Sequence, residues 1–350
     1  MTKLPAKTTR ASASKKASAA SPGLSIVVPV YNEAKGLPRL HERIAEMARF
    51  LQSKYDLACE VIYVDDGSAD DTSHIAMTLP AMPLDVQVVT LSRNFGKEAA
   101  LLAGLDHARL GAVLFMDGDG QHPPSLIETL VARWLEDGYD VVFTAKAHRE
   151  NEPWMRRTMV HWFYWLLNWR ARLKIPEDAG DFRLLSPRAA AALRQMPERN
   201  RFFKGLSSWI GFRQVRVDYE PAEREHGVTT WNVWSLIGLS IEGLTSFSVA
   251  PLRVASLLGV IMAASAMLFG FWIVLETVLF GEDVPGYPSL VVGLMVLGGV
   301  QLIMIGVLGE YIGKLLSEIK GRPVYFVAEH NLRNAEASTK ESAAKGNSAE

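Results

Sequence analysis

Cysteine is nearly absent. A single one, Cys59, stands in 350 residues, so no intrachain disulfide framework can form and no cysteine spacing suits a metal. Cys59 lies in an apolar, strand-like stretch and reads as a small buried hydrophobe. A charge excess is missing too. The chain has 37 lysines and arginines against 38 acids, a formal net charge of -1, whereas a general nucleic-acid binder carries a basic surplus. The first residues lack the apolar core of a secretory signal. Residues 1–22 hold Lys3, Lys7, Arg10, Lys15 and Lys16 and no acid. They read as a disordered basic tail, with at most a weak attraction to anionic lipid. Residues 331–350 are polar and read as disordered as well.

Apolar residues are plentiful, at 49% of the chain. Val254 to Phe280 contains one charge, Glu276, and Pro288 to Gly309 contains none. Each run exceeds the ~20 residues that cross a hydrocarbon core. The connection from Gly281 to Tyr287 has acids and no base, while Arg253, Lys314, Lys320 and Arg322 flank the pair. The positive-inside rule then places both termini in the cytoplasm. Two spans make an anchoring hairpin, too little for a transport pore, and a hairpin is compatible with a homo-oligomer. Glu276 and Glu310 read as acids at the membrane edge. Thr229 to Ser248 is apolar on more than one face and reads as an interface helix. Trp154 to Lys174 is rich in tryptophan and arginine, and fits either the bilayer interface or an ordinary core-facing helix.

The first half alternates strands and helices. Strands are expected at Leu24–Val30, Glu60–Val64, Val86–Leu91, Ala112–Met116 and Tyr139–Thr144. Helices are expected at Leu37–Ser53, after the N-cap chemistry of Ser68-Ala69-Asp70-Asp71, at Lys97–Ala108 and at Pro124–Trp134. This pattern implies an α/β fold with a mostly parallel sheet covered on both faces. Its working residues belong at the carboxyl ends of the strands. Three such ends carry polar or acidic groups: Tyr31-Asn32-Glu33, Asp65-Asp66 and Asp117-Gly118-Asp119. Paired carboxylates at a strand end offer hard oxygen ligands for Mg²⁺ or Mn²⁺ against a substrate diphosphate. Taken alone, Asp-x-Asp is also a common solvated turn.

The chain resembles the family 2 inverting glycosyltransferases with a GT-A fold, and most of all their polyprenyl-phosphate (bactoprenol) branch, related to the dolichol-phosphate mannose synthases. The resemblance rests on Ile26 to Glu33, Val64-Asp65-Asp66-Gly67-Ser68, Leu91 to Lys97, Met116 to Pro124, Asp178 to Leu185 and Arg201 to Leu206, in family order. It covers residues 24–325. It implies a disordered tail at 1–22, a GT-A domain at 23–228, an interface helix at 229–252, two membrane helices within 253–316 (about 254–280 and 288–311) and a cytoplasmic tail at 317–350. Site roles follow by resemblance. Pro29, Tyr31, Glu33, Val64 and Asp66 would hold the nucleoside. Asp117, Gly118, Asp119 and Gln121 would surround the diphosphate, with Asp117, Asp119 and Gln121 on the metal. Lys204 and Arg224 would contact donor phosphate, and Arg183 and Arg201 acceptor phosphate. Asp119, Asp181 and Arg183 are the catalytic candidates, with Asp181 where relatives using hydroxyl acceptors place a base.

The implied activity is transfer of a sugar, glucose first, from a nucleotide sugar, UDP-glucose first, to undecaprenyl phosphate. The implied location is the cytoplasmic face of the inner membrane, with the lipid bilayer as a partner and no nucleic acid. One departure stands out. Relatives carry Gly-x-Ser-Lys-Tyr where this chain has Gly227-Val228-Thr229-Thr230-Trp231, so a phosphate-reaching lysine is replaced by Thr230. That leaves N-acetylglucosamine, galactose, mannose or an aminoarabinose-type sugar as alternatives. A processive polysaccharide synthase is disfavoured: Leu130 stands three before Arg133-Trp134 where Gln-x-x-Arg-Trp would need glutamine. A non-catalytic nucleotide-sugar-binding scaffold is the reading from a different class.

Overall fold

The computed structural model describes residues 23–118, 123–146, 179–199, 201–219, 250–280 and 286–333. Its elements, in order, are β1 (Gly23–Val30), α1 (Leu37–Tyr55), β2 (Ala58–Asp65), α2 (Thr72–Thr78), β3 (Asp85–Leu91), α3 (Lys97–His107), β4 (Ala112–Phe115), α4 (Pro124–Leu135) and β5 (Val141–Lys146). There follow β6 (Ala179–Leu185), α5 (Pro187–Arg194), α6 (Phe203–Trp209), β7 (Gln214–Tyr219), α7 (Ala250–Phe280), α8 (Tyr287–Lys320) and β8 (Val327–Arg333). The sheet runs β7-β5-β6-β4-β1-β2-β3-β8. Its middle, β4-β1-β2-β3, is parallel. β6 and β8 join this middle antiparallel, on β4 and β3.

The central strands are buried on both faces, which is why β1 and β4 are apolar runs without alternation. Leu24, Ile26, Val28 and Leu114 face a cluster with α1 and α4; Val27, Val113 and Phe115 face one with α3, α5 and α6. α1 buries Leu37, Leu40, His41, Ile44, Ala45, Ala48 and Leu51, the stripe expected of a helix lying on a sheet. The expected N-cap chemistry before α2 is shifted by one residue. Asp71 holds the cap position without a side-chain bond, while Asp70 Oδ1 accepts from Thr72 N at 3.1 Å.

α3 lies close on β1 because Gly104 has no side chain. A Cβ there would come within 2.1 Å of Val27 Cγ1. Gly104→Ala should therefore destabilise the fold by about 1–3 kcal/mol through overpacking, despite alanine's better helix propensity. Chemical denaturation of the purified protein in detergent checks this; an unchanged midpoint would show that α3 can shift freely.

The strand order reverses between β1 and β4, and ligands of open α/β sheets bind at the carboxyl ends beside such a switch point. Beyond the sheet, α7 and α8 are long, apolar and outward-facing. Val254–Glu276 and Val292–Lys320 have mean hydropathies of 2.3 and 2.2, with none of the most apolar window buried. Helices of 31 and 34 residues reach about 46 and 51 Å at 1.5 Å per residue, longer than a ~30 Å hydrocarbon core.

The C-terminal end differs from the sequence expectation. Within the stretch assigned to a tail, Val327–Arg333 is a strand paired with β3, so Asn331 to Arg333 are ordered. An isolated seven-residue polar segment has no reason to extend; the open edge of β3 supplies its hydrogen-bond partners. β6 and β7 are likewise strands that alternation did not reveal. The interface-helix stretch 229–248, the tryptophan-rich stretch 154–174 and residues 1–22 lie outside the described residues.

Candidate functional site

A cavity of about 410 Å³ opens at the switch point, lined by Pro29, Tyr31, Glu33, Asp66, Lys97 and Asp117 among others. Two loops form one wall by exchanging bonds. Asn32 N donates to Ser68 Oγ at 2.9 Å, and Ala69 N donates to Asn32 Oδ1 at 2.9 Å. Glu33 N donates to Thr72 Oγ1 at 2.9 Å. Tyr31 is 48% exposed at the rim, an aromatic face free to stack on a planar ring.

Asp66 anchors the next wall. Phe95 N donates to its Oδ1 at 2.7 Å and Gly96 N to its Oδ2 at 2.9 Å. Burial raises its pKa above the ordinary carboxylate value, opposed by those two bonds. The turn allows no side chain at the following residue: Gly67 has φ 69°, and a Cβ there would sit 2.5 Å from the Arg93 carbonyl carbon. The β2 and β3 loops are thus fitted against each other through glycine.

Lys97 and Asp117, which line the cavity, belong to a charge cluster. Lys97, the first residue of α3, places its Nζ 2.6 Å from Asp117 Oδ1 and 2.7 Å from Asp181 Oδ2. Lys204 Nζ lies 3.3 Å from Asp181 Oδ1. Burial disfavours both charges, yet Asp181 and Asp117 hold the Lys97 ammonium above its usual range. Likewise, Lys204 and Lys97 outweigh burial at Asp181 and keep its carboxyl low. Next to them Glu98 accepts from Phe203 N at 2.9 Å. Burial, aided by Asp181, raises the Glu98 pKa to about 7.

This brings together Pro29, Tyr31, Glu33, Asp66, Asp117 and Gly118 around the cavity, with Asp181 and Lys204 joined through Lys97. Other expected site residues fall elsewhere. Val64 is fully buried in the core, so its side chain reaches no ligand. Arg183 is 2% exposed. Its Nη2 donates to Gly180 O at 2.7 Å, and its Nη1 to Phe203 O at 3.3 Å and to Ser207 Oγ. It therefore braces β6 against α6 instead of presenting a fork to an acceptor phosphate. Arg201 donates to Glu198 O at 2.9 Å and to Met196 O, which commits much of its fork as well. Asp119, Gln121, Arg224 and Thr230 lie outside the described residues.

Lys97 is the side chain at the cavity that sequence reasoning passed over. It was visible only as the last residue of Leu91-Ser92-Arg93-Asn94-Phe95-Gly96-Lys97. The available signal was a lysine directly after a glycine at a helix start, where cation and N–H groups converge on anions.

Among the described residues no three metal-ligating side chains cluster. The carboxylates that are present nevertheless fit a hard cation. Asp117 reaches the cavity from the end of β4, and the gap between it and Asp181 already holds an ammonium at 2.6 and 2.7 Å. Oxygen donors around a positive charge are what Mg²⁺ and Mn²⁺ prefer.

The family model "Glycosyl transferase family 2" matches residues 25–196. An uncharacterized glycosyltransferase of Synechocystis is 42% identical over 306 residues, 87% of this chain and 95% of its own. The SfII prophage-derived bactoprenol glucosyl transferase of Shigella flexneri is 41% identical over 311 residues, 89% of this chain and 99% of its own. A solved glucosyl-3-phosphoglycerate synthase from Mycobacterium tuberculosis, in complex with Mn²⁺, UDP-glucose and phosphoglyceric acid, is 19% identical. It covers 64% of this chain and 78% of its own, with a TM-score of 0.40.

Proposed function

The chain belongs to glycosyl transferase family 2, in its bactoprenol branch, and we propose that it transfers glucose from UDP-glucose to a polyprenyl phosphate at the cytoplasmic face of a membrane, with inversion at the anomeric carbon. The observation that carries this reading is the Asp117–Lys97–Asp181–Lys204 chain of charges, of which Asp117 and Lys97 line a cavity at the sheet's switch point. It is a site built for a diphosphate, in a protein whose last third is long enough and apolar enough to span a bilayer.

The donor's base and ribose lie on the Tyr31 and Asp66 walls. Its diphosphate lies over Asp117 and the start of α3, where the Lys97 ammonium and the helix N-terminus favour negative charge. Asp117, with Asp119 and Gln121, would hold a divalent ion. When bound, that ion neutralises charge on the departing diphosphate oxygens. The acceptor phosphate monoester is largely ionised near neutral pH, its second pKa being about 6. One of its oxygens forms the new bond to the anomeric carbon, while the bond from that carbon to the diphosphate breaks and the electron pair leaves with the nucleotide.

This chemistry removes the need for a base. Asp181, at the position where relatives using hydroxyl acceptors place a base, has both carboxylate oxygens paired to lysines. Its low pKa makes it a poor proton acceptor. Its role is to aim Lys97 and Lys204, which add pre-set positive charge opposite the developing negative charge.

The test uses purified full-length protein with labelled UDP-glucose, other nucleotide sugars, undecaprenyl phosphate and Mg²⁺ or Mn²⁺. A glucosyl lipid that requires UDP-glucose and metal is expected, with the anomeric configuration inverted by NMR. Transfer from a different sugar alone would overturn the donor assignment. Nucleotide binding without any turnover would favour the scaffold reading.

A further inference from the structure

The described chain continues beyond the two apolar helices. α8 stops at Gly321, which has φ 66° and donates its N–H to Glu318 O at 3.2 Å. The segment after it returns over the catalytic domain and is tied at each step. Arg199 N donates to Glu318 Oε1 at 2.9 Å, and Arg199 Nε to Arg322 O at 2.8 Å. Val324 and Tyr325 pack against the buried cluster that contains Leu91, Leu101 and Leu102. Tyr325 Oη donates to Asp106 Oδ2 at 2.9 Å. Ser92 N donates to Phe326 O at 2.9 Å. The Phe326 ring stands 6.3 Å from that of Phe95, tilted by 51°. β8 then pairs along β3 from Val327 to Arg333.

The loop this strap touches is the one that grips the candidate donor site. Ser92 and Phe95 belong to the turn between β3 and α3. In that turn the Phe95 and Gly96 N–H groups bind Asp66, and Lys97 follows directly. Neither Tyr325 nor Phe326 lines the cavity. The strap therefore reaches the cavity indirectly, through this loop and through α3, which carries Lys97 and Ala100.

We propose that the strap Gly321–Phe326 is a positioning element of the donor site, with Phe326 holding the Ser92–Lys97 loop so that Phe95, Gly96 and Lys97 meet Asp66, Asp117 and Asp181. The proposal rests on reading the cavity as the nucleotide-sugar site. It makes the pocket dependent on chain that lies beyond both apolar helices. The donor site is then completed only after α8 has been synthesised and its end has docked on Arg199.

The experiment compares wild type with Phe326→Ala, Phe326→Tyr and Leu332→Ala in the full-length protein. Leu332 is on β8, 42% exposed and paired to Gln87 instead of the loop. Kd for UDP and for GDP, donor KM, kcat and amide exchange over residues 92–97 are measured. An aromatic pair is worth about 0.5–1.5 kcal/mol, so Phe326→Ala should raise nucleotide Kd and donor KM about two- to tenfold. It should leave kcat within about twofold and speed exchange at Phe95 and Gly96. Phe326→Tyr should restore all three, and Leu332→Ala should move none of them, whatever its melting temperature. Unchanged Kd and exchange in Phe326→Ala would overturn the proposal, as would equal changes in Leu332→Ala. Wild type binding neither UDP nor GDP would overturn the donor-site reading itself. Exchange at Phe95 and Gly96 would still report whether the strap holds the loop.

Discussion

Asp117→Asn should reduce sugar transfer by about 10²–10³-fold, the usual cost of removing one fixed electrostatic element from a site where charge develops. Asp117 sits at the end of β4, its side chain 28% exposed, so the change is to the cavity and not to the core. Asparagine keeps the shape and one oxygen but loses the charge that binds the Lys97 ammonium and would hold a divalent ion. Exposed ion pairs contribute about 0–1 kcal/mol, so folding should be nearly unchanged. The checks are transfer of labelled sugar across a metal titration, Mn²⁺ affinity by paramagnetic resonance, and the denaturation midpoint. Full metal-dependent activity in this variant would remove Asp117 from the site. A large fall in the midpoint would instead make it a structural residue.

Lys97→Met should also be severe, for a different reason. Lys97 separates Asp117 and Asp181, with Glu98 adjacent. Without it, among the described residues, these acids keep the Lys204 ammonium beside Asp181. Removing one partner of a buried pair costs about 3–5 kcal/mol, but the Lys97 side chain is 43% exposed, and solvent reduces that figure to about 1–2 kcal/mol. The catalytic loss should be larger, about 10²-fold in kcat/KM, because the ammonium faces the leaving diphosphate. Lys97→Arg should recover part of it. The Mn²⁺ affinity separates this role from that of Asp117. An ion entering the apo site must displace the ammonium from Asp117, so Lys97→Met should bind Mn²⁺ more tightly without nucleotide, where Asp117→Asn binds it more weakly. Weakened Mn²⁺ binding in both variants would refute that opposition of roles.

The extent to which the site was readable follows from the range of the interactions. β1 to β4, α1, α3 and α4 were legible because burial on a sheet imposes a local pattern on each segment: continuous apolar runs in strands, a 3.6-residue stripe in α1. That Tyr31, Glu33, Asp66 and Asp117 share one cavity was legible because open α/β sheets gather their strand ends at one edge. Arg183 and Arg201, expected on acceptor phosphate, both donate to carbonyls of their own chain in the structure. An arginine that grips carbonyls of its own chain looks the same in sequence as one that waits for an anion, and only burial tells them apart. Val64 was carried by its motif, although β2 turns its side chain into the core. β8 was hidden because a polar heptapeptide becomes a strand only when an edge is offered to it.

The Asp117 motif, the acidic strand ends and the two apolar runs were determined by sequence alone, since carboxylate spacing and hydropathy are properties of neighbouring residues. What only the tertiary structure decided is the partnership of the acids. Lys97 meets Asp117 from 20 positions away and Asp181 from 84, and Phe326 meets Phe95 from beyond both apolar helices. These are contacts between segments that share no local signal. They exist because the parallel sheet brings the carboxyl ends of β2, β3 and β4 to one edge, and because β3 leaves its outer side open for the returning chain.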